Sequence, residues 1–439
     1  MDVREMLRKG LQDLYGEREA HSLSTFLRAT CLLREHKLLQ TNKAEVCSPE
    51  QIMLDRAEYE IKQWAVAWFA GAYGPRFKRG GWRSYAGVHY LFLGWLDGIP
   101  VDMVLQSGTT YGMGRLGNAG RLRAAFVGAA LKSDAVYVVR AHRSSMEWAA
   151  HTVSGCEVVG ADLLHDASLL ARWWEDDSNA IGTGSESDCA ACVVADLCTN
   201  RVLTGPTLPP VRKLKVRPNA GLIKDLDRYL EYMNELPNHR SQGVTHPSEV
   251  AITSCDRRLW YELKHYERKE QIKPKLRRIF AIGHAYHAVI QVVSAHAIPD
   301  FLEEVRVTHK TTLISGSVDG DSAKLDAVFE YKSISELGFD GLTNPKSDHK
   351  KQATIYTKLR DRANTVYVYM NKETGDLRVF EKKFEKKLWH EIAYRLEMVV
   401  TQARNDVIPD QAEYADSVCA SCPFQWTCKP HLDNVTGGF

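Results

Sequence analysis

Residues 314–334 read ISGSVDGDSAKLDAVFEYKSI, and the chain is best understood outward from this stretch. β-Branched and aromatic residues dominate LDAVFEYKS, which predicts a β-strand, and the run before it is strand-like as well. Side chains two apart on a strand share a face, so Glu330 and Lys332 point to the same side. Asp319 in GSVDG and Glu330 on neighbouring strand ends form an oxygen-rich pair suited to a hard divalent cation. The Tyr331 carbonyl is an additional candidate ligand. Such a cation polarises a phosphodiester and lowers the pKa of a bound water. Lys332 can then orient the water or neutralise charge building up in the transition state.

Two flanking helices add to this group. His287 lies in RIFAIGHAYHAVIQ, read here as a Gly-x-x-x-His turn-to-helix pattern. His284, one turn earlier, competes with it for the metal, and the spacing favours His287. Gln352 and Tyr356 in HKKQATIYTKL are four apart, hence on one helical face. Each motif alone is ordinary: a Glu-x-Lys pair can be a solvated edge and a lone histidine a packed core residue.

The cysteines reveal a repeat. Cys419, Cys422 and Cys428 form C-x2-C-x5-C, as do Cys189, Cys192 and Cys198. Cys255 lies 164 residues before the first triplet named, and Cys31 lies 158 before the other. Four thiolates per set suit zinc or an iron–sulfur cluster. Cys47 and Cys156 fall outside both sets and read as core thiols.

The rest of the chain agrees with a duplication. VYVVRAH (136–142) resembles VYVYMNK (366–372), and IPVDMVLQ (99–106) resembles SAKLDAVFE (322–330), all strand-like. Helical stretches at roughly 50–71 and 275–296 precede them. Between the copies, residues 205–221 carry four prolines and the basic residues Arg212, Lys213, Lys215 and Arg217, followed by a helical pattern over 222–236. This predicts three parts, 1–204, 205–245 and 246–439, and an α/β class with mixed sheets.

Bulk properties narrow the partners. A net charge of +2 over 439 residues confines any nucleic-acid surface to local patches. KPKLRR (273–278) and YGPRFKRGGWRSYAG (73–87) are such patches, the latter mixing basic and aromatic residues. No apolar run approaches the ~20 residues that span a bilayer, and MDVREMLRKG lacks the apolar core of a signal peptide. The expectation is a protein of the cytoplasm, with no membrane partner and with cysteines free for metal.

In this order, Cys255, His287, Asp319, Glu330-x-Lys332, Gln352-x-x-x-Tyr356 and C-x2-C-x5-C resemble the PD-(D/E)xK superfamily, in particular RecB-like exonucleases with a [4Fe-4S] cluster, the CRISPR-associated type and its phage relatives. The resemblance covers roughly 246–430. It implies two tandem restriction-endonuclease-like domains, each a mixed central sheet flanked by helices and closed by a four-cysteine cluster. It implies Mg²⁺ or Mn²⁺ at His287, Asp319 and Glu330, and an iron–sulfur cluster at Cys255, Cys419, Cys422 and Cys428. A second cluster at Cys31, Cys189, Cys192 and Cys198 follows from the repeat. The implied activity is resection of DNA ends, single-stranded or partly unwound, in recombination, repair or replication within a bacterial or phage-infected cell, with a helicase or recombination protein as companion.

The first half lacks the chemistry. Asp97-Gly98 sits where Asp319-Gly320 sits, Gln106 and Gly108 stand for Glu330 and Lys332, and Leu122 and Phe126 for Gln352 and Tyr356. This half reads as a degenerate copy that kept its cysteines. The competing reading is a nucleic-acid-binding adaptor with a vestigial site in both halves, against which the intact Glu330-x-Lys332 argues.

Overall fold

The computed structural model describes residues 2–15, 21–22, 48–86, 88–106, 115–175, 213–236, 241–269, 272–409, 419 and 422–428. The first half contains α1 (Val3–Tyr15), β1 (His21–Ser22), α2 (Pro49–Tyr73), β2 (Phe77–Tyr85), β3 (Val88–Leu96), β4 (Ile99–Gln106), α3 (Asn118–Ala130), β5 (Ala135–His142), β6 (Trp148–Ser154) and α4 (Cys156–Glu175). β7 (Lys215–Pro218) and α5 (Ala220–Tyr232) follow. The second half contains α6 (Pro247–Ile252), α7 (Asp256–Leu263), α8 (Pro274–Ala297), β8 (Leu302–His309), β9 (Ile314–Ser322), β10 (Ala327–Ile334), α9 (Glu336–Asp340), α10 (Ser347–Leu359), β11 (Asn364–Asn371), β12 (Leu377–Lys383) and α11 (Lys386–Arg404).

Each half builds a mixed sheet on one plan. Strands β3 and β4 form an antiparallel hairpin, α3 crosses over, and β5 returns parallel to β4 before β6 turns back. In the second half β9 and β10 form the hairpin, α10 crosses over, and β11 returns parallel to β10 before β12. A parallel pair needs a crossover connection, and a helix supplies it in both halves. Among the described residues the sheet orders are β1-β3-β4-β5-β6-β7, with β2 on β3, and β12-β11-β10-β9-β8.

The proline-rich connection does contain a strand, at the sheet edge. β7 pairs with β6 alone, where a missing proline N–H is harmless. The Gly-x-x-x-His motif is not a turn: Gly283 and His287 both lie inside the continuous α8, with Gly283 facing Ser333 at the end of β10. Cys156 is a core thiol as expected, fully buried, and burial pushes its pKa up to about 12. Cys47 lies outside the described residues.

The halves share one apolar core. Leu7 and Leu11 of α1, Ile61 and Phe69 of α2, Met103 of β4, Leu226 of α5, Tyr286 and Ile290 of α8 and Phe329 of β10 belong to the same buried cluster. α1 lies so close to α8 that a Cβ on Gly10 would come within 2.8 Å of the Ala297 Cβ. Polar ties reinforce the contact. Arg278 pairs with Asp227 and donates to the Met146 carbonyl, Lys275 reaches Glu147 at 3.0 Å, and Arg277 donates to Asn234. Three basic residues of KPKLRR are therefore engaged in protein contacts, while Lys273 is exposed.

Candidate active site

The second hairpin opens where its acids sit. β9 and β10 pair only as far as Phe329 opposite Gly320. At the next opportunity the Tyr331 N–H donates to Asp319 Oδ2 at 2.8 Å instead of to a backbone carbonyl. In an extended strand a residue's N–H and C=O share an edge, so the Tyr331 carbonyl faces the same opening. The Tyr331 phenol points away and meets the Ser294 hydroxyl at 2.6 Å.

Glu330 and Lys332 share a face, as the strand period requires, and form an ion pair. Glu330 is 1% exposed, and its second carboxylate oxygen has no hydrogen-bond partner. Burial, aided by Asp319, pushes its carboxyl well above the usual range, against the pull of Lys332. Lys332 is also shifted upward: burial works against its charge, but Glu330 and Asp319 outweigh that. The two shifts favour opposite ionisation states of the pair. The excess lies with the acids, since two carboxylates face one ammonium.

His287 completes this group from α8. Its Nδ1 lies 3.9 Å from Asp319 Oδ1, and burial, with Lys332 and His284 adding, depresses its pKa despite Asp319. A neutral imidazole is the metal-binding form. From α10, Gln352 hydrogen-bonds the Tyr356 hydroxyl, whose pKa is raised by burial and then by Glu330 and Asp319. Asp319, Glu330, Lys332 and His287 thus act on one another, and Tyr356, bonded by Gln352, feels the two carboxylates.

Two neighbours were not anticipated. Glu304 on β8 accepts from Gln291 Nε2 at 2.8 Å, while the same amide reaches the Asp319 carbonyl at 3.3 Å. Its charge acts on Glu330, His287 and Tyr356, and its backbone is left-handed at φ 50°. In sequence, LEEV reads as an exposed edge strand, and backbone strain leaves no mark there. His349 of α10 bonds the Tyr369 hydroxyl at 2.8 Å; burial and then Lys332 bring its pKa down to about 4.

The donors suit a divalent cation in kind: a buried carboxylate oxygen without a partner, a second carboxylate, a neutral imidazole and a free-facing carbonyl. Among the described residues no three His, Cys, Asp or Glu side chains are drawn together tightly enough to hold a metal as they stand. Lys332 occupies the Glu330 carboxylate instead.

Cys255, Cys419, Cys422 and Cys428 are all unoxidised and partly buried. Cys422 feels the charge of Cys255 and Cys428, and Arg257 Nη1 approaches Cys428 Sγ at 3.8 Å. The start and end of the second half therefore meet at one place. Cys31, Cys189, Cys192 and Cys198 lie outside the described residues.

The first half corrects the expected correspondence. Its hairpin closes with Leu96 opposite Ile99, through a two-residue turn in which Asp97 and Gly98 have φ 52° and 82°. Matching this pair to Ser322 opposite Ala327 sets Gly94 on Gly320 and Asp102 on Glu330. Leu93 then stands for Asp319 and Val104 for Lys332, so Asp97-Gly98 is a turn rather than a site remnant. The crossover helices, both 13 residues long, set Arg123 on Gln352 and Val127 on Tyr356. Asp102 is fully buried, and Arg123 grips it through Nε at 2.5 Å and Nη2 at 3.1 Å. An internal guanidinium neutralises the acid that survives.

In the basic stretch after α2, Lys78 and Arg79 are exposed, Arg76 pairs with Asp97, and Trp82 is 56% exposed beside the Tyr59 ring. No described helix is long and apolar enough to cross a membrane.

No protein-family model matches the chain, and no curated protein matches it. Among solved structures it is similar to SSO0001, at 15% identity over 45% of this chain and 93% of that one, with a TM-score of 0.31. It is also similar to the alkaline exonuclease LHK-Exo of Laribacter hongkongensis, at 13% identity over 41% of this chain and 93% of that one, again at 0.31. The same enzyme in complex with dAMP matches at 15% identity over 37% of this chain and 89% of that one, with a TM-score of 0.31.

Proposed function

We propose that this chain is a divalent-metal-dependent exonuclease that hydrolyses phosphodiester bonds in DNA, with one active site, in the second half. The observation that carries the reading is the parted β9–β10 edge, where Asp319 and a buried, half-partnered Glu330 stand beside Lys332. Clustered acids in a partly buried opening have two uses in a protein: to hold a cation, or to be neutralised as Asp102 is by Arg123. Here one ammonium, Lys332, faces both Glu330 and Asp319, so the second option is met only in part.

In this reading His287, Asp319, Glu330 and the Tyr331 carbonyl hold Mg²⁺ or Mn²⁺. The bound ion supplies Lewis-acid polarisation of the phosphate and acidifies a water. Lys332, released from Glu330, aligns that water and offsets charge on the phosphate oxygens. Gln352 and Tyr356 hold the floor of the opening and position the scissile group. Glu304 keeps Asp319 and its strand in place through Gln291.

Residues 1–204 are read as a degenerate nuclease-like domain, 205–245 as a connector and 246–439 as the nuclease domain. Each nuclease-like part would carry a [4Fe-4S] cluster: Cys255, Cys419, Cys422 and Cys428 in the second, and Cys31, Cys189, Cys192 and Cys198 in the first. Such a cluster closes a long loop and so contributes to folding rather than to hydrolysis. The proposed setting is DNA recombination, repair or replication in a bacterial or phage-infected cytoplasm.

The test is degradation of end-labelled DNA, single- and double-stranded, with Mg²⁺ or Mn²⁺. Metal-dependent loss of label that disappears in Lys332→Ala is expected. Metal-independent loss rejects the reading, and no loss in the iron-replete protein rejects it in favour of the adaptor.

A further inference from the structure

Helix α8 carries a stripe of rings that the hydrolytic group does not use. Phe280, His284 and His287 are at i, i+4 and i+7, hence on one face of the helix. His287 ends the stripe at Asp319. His284 is exposed one turn away, close enough for its charge to act on His287, and Phe280 is 48% exposed one turn further. The first half adds a ring to this stripe. Trp64 of α2 lies against His284, with ring centroids 6.1 Å apart and an interplanar angle of 27°, and it remains 40% exposed. Trp64 also meets Trp68, which is nearly buried and in turn touches Trp148. An exposed tryptophan backed by two further indoles is held in place rather than free to turn.

Flat, exposed rings fixed beside a phosphodiester-cutting site match the faces of unpaired bases. Stacking on such rings is tolerant of sequence and needs the base unpaired. A duplex offers its base faces only at its end, whereas a separated strand offers them one after another. The stripe runs from the catalytic opening toward the start of α8, where Lys273 is exposed. We infer that Trp64, His284 and Phe280 form a base-stacking wall by which the degenerate first half holds a single strand of DNA against the catalytic opening of the second. The inference rests on the nuclease reading and names the side chains that would hold its substrate strand. It also assigns the first half a role in the site: Trp64 is that half's side chain in the binding wall.

Binding in EDTA isolates the wall from the chemistry. The probes are an oligo-dT single strand and a blunt duplex of equal length, with affinity followed by fluorescence anisotropy. Trp64→Ala is expected to weaken the single strand about tenfold, as loss of one stacked base requires. Duplex affinity should change less than about twofold. His284→Ala and Phe280→Ala should act in the same direction, and His284→Phe, which keeps a ring, should bind as the native chain does. Tyr394→Ala, an exposed ring on α11 outside the stripe, should change nothing. Because Trp64 also packs on Trp68, Trp64→Phe serves as the variant that preserves folding, and it should retain most of the affinity. The wall is overturned if Trp64→Ala binds the single strand like the native chain, if duplex binding falls equally, or if the native chain binds no single strand. Ring-dependent binding without cleavage in Mg²⁺ or Mn²⁺ would leave the wall standing and remove the nuclease.

Discussion

Glu330 is the side chain whose position costs most without a further cation. It is buried at 1% exposure, paired on one oxygen by Lys332 and bare on the other. A buried carboxylate lacking full compensation destabilises the fold, and a cation that binds only the folded state returns that stability. In EDTA, Glu330→Gln is therefore expected to melt above the native chain. Mn²⁺ at about 100 times its dissociation constant should stabilise the native chain by roughly 2.7 kcal/mol and leave the variant unmoved. Thermal melts with and without metal read both effects, and an equal shift in both proteins removes Glu330 from the ligand set. The proposed role of Lys332 lies at another stage. Lys332→Met should keep the Mn²⁺-dependent shift yet lower turnover by about 10²–10³-fold, as for loss of one charge-stabilising donor. Glu58 sets a different limit, on acid stability. Burial opposes its ionisation, but Lys62 and Arg143 together hold its carboxyl at about 2 against an ordinary 4.5. Its stabilising contribution is thus complete above pH ~4.5 and lost as pH falls toward 2, on the order of 3 kcal/mol at most. Glu58→Gln should flatten the stability profile across that window in denaturant titrations; an unchanged slope would show that the pairing is not formed.

At the level of the elements, the decisive object is a hairpin that is closed in one half and parted in the other. Strand and helix patterns were legible because they depend on local composition: IPVDMVLQ is β4 residue for residue, and the two long helices fall within a few residues of α2 and α8. Register was not legible. Matching acid to acid, Asp97 with Asp319, displaces the first copy by four residues from its strand pairing, so Gln106 falls on Glu330 where Asp102 belongs. The Glu-x-Lys and Gln-x-x-x-Tyr motifs survived because each lies within a single element. Glu304 could not be found, since it enters through a strand two positions away in the sheet and a left-handed backbone. The corrected register carries its own consequence. Asp102 and Arg123 form a nearly buried pair, at 0% and 13% side-chain exposure, and removing one partner strands the other's charge. Arg123→Ala should cost about 3–5 kcal/mol in urea unfolding, whereas Asp102→Ala with Arg123→Leu together should cost far less. Equal losses for the single and double variants would show that the pair does not act as a unit.

Across the whole molecule, sequence order and packing disagree. The repeat divides the chain near residue 205, but α1, α2 and α5 all cover α8, the helix that carries His287. Tyr286, Ile290 and Val293 are completely buried, and much of what buries them comes from the first half. A fragment of residues 246–439 would uncover that face, an apolar patch too large for a stable monomer to leave in water. The full chain is therefore expected to unfold in one cooperative calorimetric transition. The isolated fragment should lack that transition, bind apolar dyes and cleave nothing, even with Asp319, Glu330 and Lys332 present. A folded, active fragment would show that the first half is dispensable to the site. The thiols give a second, independent reading of the same architecture. Two cubane clusters require about eight irons and eight sulfides per chain. Substituting Cys189→Ser should halve the iron and destabilise the full chain, because the shared core transmits the loss of one closure to the other half. If iron halves while stability is untouched, the clusters are accessory to a core that α1, α2, α5 and α8 already hold together.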